Sequence, residues 1–188
     1  MNLDLAISTA TDFIAKQEGF MSHAYWDVNG YAIGYGNHYY SDGSAVQDGD
    51  TISKNDAYDL LQDVVRDKEQ SIRNMIKVPI NEYQYAALIS LAYNCGEGNL
   101  QHSTLLQLIN SGADQDTISA QFEKTCVTAK GQYLPSLYTR RVAETTLFYS
   151  DVKTFIKNNP KTTMAIVAAT AVFVTATVIY FRQVRKAA

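Results

Sequence analysis

Glu18-Gly19-Phe20-Met21-Ser22-His23-Ala24-Tyr25-Trp26-Asp27, followed at once by Val28-Asn29-Gly30-Tyr31-Ala32-Ile33-Gly34-Tyr35-Gly36, is the stretch that decides how this chain is read. Upstream of it, Ile7, Ala10, Phe13 and Ile14 recur at three- and four-residue steps, which predicts a helix from about residue 5 that Gly19 stops. Glu18 then stands at the helix's C-terminal end, where the macrodipole disfavours a negative charge, the bias a proton donor needs. Asp27 precedes the turn signal Asn29-Gly30, and Gly34 and Gly36 let backbone come close to a ligand. Taken singly, Glu18 reads as a helix-end surface acid and Asp27 as a turn acid. Together, two acids on either side of a short irregular stretch can build a site that cleaves a glycosidic bond.

The rest of the first 150 residues reads as a small β-region followed by helices. Tyr25-Trp26, Tyr31 to Tyr35 and His38 to Tyr40 predict three short strands, separated by turn signals at Asn29-Gly30 and Asp42-Gly43. Ser53 is a predicted N-cap, and Ala57, Leu60, Leu61, Val64, Val65, Ile72 and Met75 keep helical spacing for more than five turns. Asn81 with Gln84 makes a capping-box start, Ala86 to Tyr93 carries an apolar face, and Gly96 and Gly98 are expected to end that helix. Ser103 begins another helix, and segments around Ile118 to Lys124 and Ser136 to Phe148 are amphipathic, with Pro135 just inside the start of the last.

At 188 residues and 46% hydrophobic, the chain holds one well-buried domain plus an appendage. The appendage is Met164 to Phe181, an uncharged run that reaches bilayer-spanning length with Thr162 and Thr163. Charge divides at the same place: residues 1–151 carry 19 acidic and 10 basic side chains, net −9, whereas residues 152–188 carry six basic and no acidic ones, net +6. The expected organisation is therefore a domain over 1–151, a basic linker over 152–161, a transmembrane helix over 162–181 and a basic tail over 182–188, suited to anionic lipid headgroups. An acidic domain without a basic stripe argues against nucleic acid as a partner. Cys95 and Cys126 are able to pair, but without a framework of spacings they read as two small, buried or half-buried thiols. No metal-ligand spacing involves His23, His38 or His102, and no metal and no cofactor are expected.

With these residues in view, the chain resembles the phage-type lysozymes, the muramidases of glycoside hydrolase family 24. Glu18-Gly19 through Asp27 to Ile33-Gly34-Tyr35-Gly36 is similar to the family's E-G-x(7)-D followed by T-I-G-Y-G. Gln84 to Gly96 with Ser103-Thr104-Leu105-Leu106, and Arg140-Arg141-Val142-Ala143-Glu144 to Phe148, are similar to its later blocks. The resemblance covers about residues 6 to 150 and implies an α+β, lysozyme-like fold, with a small N-terminal β-subdomain and a larger helical lobe, to which the C-terminal transmembrane helix is added.

It implies hydrolysis of the β-1,4 bond between N-acetylmuramic acid and N-acetylglucosamine. Glu18 would be the general acid, and Asp27 would steady the developing positive charge and help orient water. Tyr31, Gly34, Tyr35 and Asn94 would bind substrate, and Arg141 with Glu144 reads as a structural pair across one helical turn. Two departures stand out: Ala32 replaces the family's threonine, whose hydroxyl helps hold the attacking water, and the loop after Asp27 is one residue shorter than usual. Asn37 also stands where many relatives have histidine, with His38 following it. The expected partners are bacterial peptidoglycan and, through residues 162–181, a lipid membrane of the virion or the host, with phage structural proteins as further candidates. The rival reading is a non-catalytic glycan-binding structural protein of a lipid-containing phage particle.

Overall fold

Five of the seven helices among the described residues start on a side-chain hydrogen bond that the sequence supplies within four residues. In the computed structural model, which describes residues 1–150, Asn2 Oδ1 accepts from the Leu5 amide to open α1 (Leu3–Glu18). Ser53 caps α2 (Lys54–Met75) through the Asp56 amide. The capping box of α3 (Glu82–Cys95) is complete, with Asn81 Oδ1 accepting from the Gln84 amide at 2.8 Å and Gln84 Oε1 from the Asn81 amide at 2.9 Å. Gly96 ends α3, but Gly98 does not act as a stop and lies inside the short α4 (Glu97–Gln101). Ser103 opens α5 (Thr104–Asn110), and Asp114 opens α6 (Gln115–Phe122). Pro135 starts α7 (Pro135–Phe148), where its missing N–H costs nothing.

The helical lobe is organised around α3. Its residues from Tyr85 to Ala92 are all buried, so it is apolar around nearly its whole circumference and has to sit inside. α1, α2 and α7 pack against it. Burying side chains such as Leu88, Ile89 and Leu91 is worth about 1.5–3 kcal/mol each, which pulls the flanking helices onto one core. Met1–Tyr149 forms one compact unit.

The β-region differs in detail from its sequence pattern. β1 (Met21–Asp27) and β2 (Gly30–Gly34) form an antiparallel hairpin with Val28 and Asn29 at its turn, Asp27 paired with Gly30 and Tyr25 with Ala32. The third predicted strand is absent: around His38 to Tyr40 there are only isolated bridges, such as Tyr39 with Ala45, because the chain turns back at Gly43 before a ladder can extend. A second small hairpin, β3 (Thr128–Ala129) with β4 (Gln132–Tyr133), has no counterpart in the sequence reading. Its turn places Lys130 and Gly131 both at positive φ, the conformation a two-residue hairpin requires, and the Lys-Gly pair was its one local signal.

Among the described residues no helix is long and apolar enough to cross a membrane. The predicted transmembrane helix at 162–181, with its linker and tail, lies outside the described residues.

Candidate active site

The helix stop and the hairpin place the two acids. Glu18 is the last residue of α1, and Gly19 follows at φ +75°, a conformation that lets the chain leave the helix and enter β1 directly. Asp27 ends β1 at the mouth of the hairpin turn. The Glu18 side chain is 28% exposed and that of Asp27 48%, so both are open to solvent. Both act on one neighbour: burial pushes the Tyr25 phenol above its ordinary range, and the charges of Asp27 and then Glu18 push it further. The Tyr25 phenol therefore lies within electrostatic reach of both carboxylates.

Each acid has its own cation or ring. Arg140 Nη1, on α7, donates to Glu18 Oε1 at 2.6 Å. Beneath that pair, Glu144 is fully buried. Its Oε1 accepts from Ser90 Oγ at 2.8 Å, Arg141 Nη2 at 3.0 Å and Arg140 Nε at 3.3 Å, and its Oε2 lies 2.9 Å from Arg141 Nε, in ion-pair range but not aligned as a hydrogen bond. Burial pushes the Glu144 carboxyl above the usual range, and the Arg141 charge, Ser90 and Arg140 pull it back. The predicted Arg141–Glu144 pair is thus present, inside a larger cluster. Arg140 is the residue that sequence reasoning missed: a double arginine on an amphipathic helix does not say which one reaches across the lobe. At the other acid, Asp27 Oδ1 accepts from the Val28 amide at 2.7 Å, while Oδ2 lies 3.5 Å from His38 Nε2.

The predicted substrate-binding residues have distinct surroundings. Tyr31 is half-buried on β2 and makes an edge contact with Trp26, which is 70% exposed. Gly34 is buried at φ +67°, and a Cβ there would stand 3.0 Å from the Ala57 Cβ, so its place in the fold is the close seating of β2 on α2. The Tyr35 ring is buried beside Phe20, and the Tyr35 carbonyl accepts from Tyr93 Oη at 3.0 Å. The Tyr93 phenol is itself pushed up by burial and by the Glu18 charge, with Arg140 opposing. Asn94 is half-buried, its Oδ1 accepting from Arg141 Nη2 at 2.9 Å. Ala32 is fully buried opposite Tyr25. Trp26 and Tyr39 present exposed aromatic surface, whereas Tyr35 does not.

Cys95 and Cys126 are free thiols, both half-buried. The two thiols act on each other, pushing that of Cys126 below its ordinary range and that of Cys95 above it. Among the described residues no group of His, Cys, Asp and Glu is arranged to hold a metal ion.

With this geometry in place, the comparisons with known proteins fall on the same residues. The sequence model of the family described as phage lysozyme matches residues 15–144, which include both acids and the Arg140–Glu144 cluster. The chain is 38% identical over 140 residues to an endolysin of Bacillus phage B103, a match that covers 73% of this chain and 51% of that protein. It thus spans about half the length of that relative. An endolysin of Acyrthosiphon pisum secondary endosymbiont phage 1 is 34% identical over 141 residues, covering 73% of this chain and 92% of the relative. Among solved structures, the endolysin from Escherichia coli O157:H7 phage FAHEc1 superimposes with a TM-score of 0.70 at 29% identity, covering 81% of this chain and 96% of its own.

Proposed function

The chain belongs to the phage lysozyme family, and from that premise we propose that it is a muramidase that hydrolyses the β-1,4 bond between N-acetylmuramic acid and N-acetylglucosamine in bacterial peptidoglycan. The observation that carries the proposal is the placement of Glu18 and Asp27 at the ends of two successive elements, α1 and β1, with the charges of both acting on the Tyr25 phenol. Glu18 protonates the leaving oxygen, and Arg140 then steadies the carboxylate that forms. Asp27 lies against the positive charge that develops at the anomeric carbon. Water attacks from the opposite face, which inverts that centre. Trp26 and Tyr31 offer apolar surface for a sugar ring.

The decisive experiment incubates the full chain in detergent micelles with purified peptidoglycan and analyses the soluble products by mass spectrometry. Fragments with new N-acetylmuramic acid reducing ends are expected. Binding to the glycan without cleavage would favour the rival reading, a glycan-binding structural protein, for which the absence of a hydroxyl at Ala32 speaks.

Asp27 is tested separately. Asp27→Asn keeps the Oδ1 acceptor for the Val28 amide and removes the charge. Turnover is expected to fall on the order of 100-fold with glycan affinity unchanged, the pattern of an interaction made only in the transition state. A loss confined to affinity would remove Asp27 from that role.

The enzyme works from a membrane, of the host or of the virion, in host penetration or host lysis. What supports this is the uncharged run Met164 to Phe181 between Lys161 and Arg182. Full-length protein is expected to float with lipid vesicles in a density gradient and to resist alkaline extraction. Recovery in the soluble fraction would overturn the tether.

A further inference from the structure

We propose that His38 holds the attacking water together with Asp27, an inference that rests on the muramidase reading above. The argument starts from which ring nitrogen carries the proton. His38 Nδ1 lies 3.0 Å from the Tyr31 carbonyl oxygen, and a carbonyl only accepts, so Nδ1 is the donor. In the neutral ring the remaining nitrogen, Nε2, is then a bare acceptor. It faces Asp27 Oδ2 at 3.5 Å, beyond a good hydrogen bond, and Oδ2 is an acceptor as well. In that state the two acceptors face each other with no proton between them, a pair that a water bridges by donating one hydrogen to each. Asp27 is held for that arrangement, because Oδ1 is engaged by the Val28 amide and Oδ2 is the oxygen left for solvent. The site is open enough for it, the His38 side chain being 31% exposed and that of Asp27 48%.

This arrangement supplies what Ala32 lacks. Ala32 is fully buried and has no hydroxyl, and the hairpin after Asp27 turns through only Val28 and Asn29. The Tyr31 carbonyl that follows this short turn is what anchors the His38 ring. In the reaction, the water oxygen bonds to the anomeric carbon as the glycosidic C–O bond breaks and the leaving oxygen takes the proton of Glu18. One water proton passes to Asp27, while the other stays on the new sugar hydroxyl, its hydrogen bond to Nε2 of His38 holding the water's lone pair toward the carbon. Solvent exchange afterwards returns the proton from Asp27 and restores that of Glu18.

Two substitutions separate this role from a structural one. The amide nitrogen of asparagine reproduces the position of a histidine Nδ1, and the side-chain end of glutamine that of Nε2. His38→Asn therefore keeps the bond to the Tyr31 carbonyl and removes the group facing Asp27, and His38→Gln does the reverse. Both are assayed in the full chain, in detergent micelles, on a soluble peptidoglycan tetrasaccharide, with kcat and KM separated and thermal unfolding measured alongside. His38→Asn is expected to lower kcat on the order of 100-fold at unchanged KM and unchanged unfolding temperature, as misplacement of a reacting group does, and His38→Gln to turn over roughly tenfold faster than His38→Asn. Wild-type activity in His38→Asn with a loss in His38→Gln would show that only the hold on Tyr31 matters and would overturn the inference. Wild-type activity in both would overturn it too, while leaving the muramidase reading in place. A wild-type chain that binds the tetrasaccharide and never cleaves it would overturn both.

Discussion

Glu18→Gln is expected to lower turnover on purified peptidoglycan by about 100- to 10,000-fold, the usual worth of a general acid, while the protein folds normally. The amide is nearly the same size as the carboxyl, and its oxygen can still accept from Arg140 Nη1, so the contact between α1 and α7 survives the change. What disappears is the transferable proton, without which the departing sugar has to leave as an alkoxide. The loss should fall on kcat and leave KM nearly alone, because the interaction is made in the transition state and not on binding. Measured release of reducing ends, with circular dichroism to verify the fold, checks it. A Glu18→Gln protein as active as wild type would mean that another group donates the proton.

The largest expected effect on stability is at Glu144. Glu144→Ala removes the acceptor shared by Ser90, Arg140 and Arg141 and leaves buried guanidinium groups without their carboxylate. Breaking a buried pair from one side costs about 3–5 kcal/mol, a large part of the roughly 5–15 kcal/mol that holds a domain of this size. The urea midpoint of the described domain's unfolding transition should drop accordingly with little change in slope. Activity should fall as well, since the cluster fixes the part of α7 from which Arg140 reaches Glu18. Glu144→Gln, which keeps an oxygen for Ser90, should be less damaging than alanine. Equal stability of Glu144→Ala and wild type would mean that the buried charges rearrange onto other partners, Asn94 for Arg141 and Glu18 for Arg140.

Three helix starts were legible in the sequence because each is a contact between residues three apart: Ser53, Asn81 and Ser103 meet the backbone amide three positions on. Asn2 and Asp114 make the same contact but are not among the predicted starts, and α1 begins at Leu3, ahead of the expected residue 5. The central place of α3 was not legible in the sequence, where Ala86 to Tyr93 predicts a helix with one apolar face; the structure buries Tyr85 to Ala92 on nearly every side. The hairpin was visible in the turn residues, but the expected third strand was not formed, because alternation over three residues does not tell a ladder from a loop with single bridges. Gly34 illustrates the same limit in the site: its spacing marks a special backbone position, and only packing shows that the neighbour it accommodates is Ala57.

By itself the sequence determined three of the caps, the apolar periodicity, the two acids at either end of a short stretch, and the division of charge between the first 151 residues and the rest. The tertiary structure alone decided which groups meet those acids. Arg140 reaches Glu18 across 122 positions of chain because α7 and α1 both pack on α3, and His38 reaches Asp27 because a two-residue turn carries the Tyr31 carbonyl under its ring. The physical reason is one of range. Local hydrogen bonds and hydrophobic period are fixed by neighbours along the chain, whereas the partner of a charged side chain is selected by the three-dimensional packing of elements whose order in sequence does not specify which faces will touch.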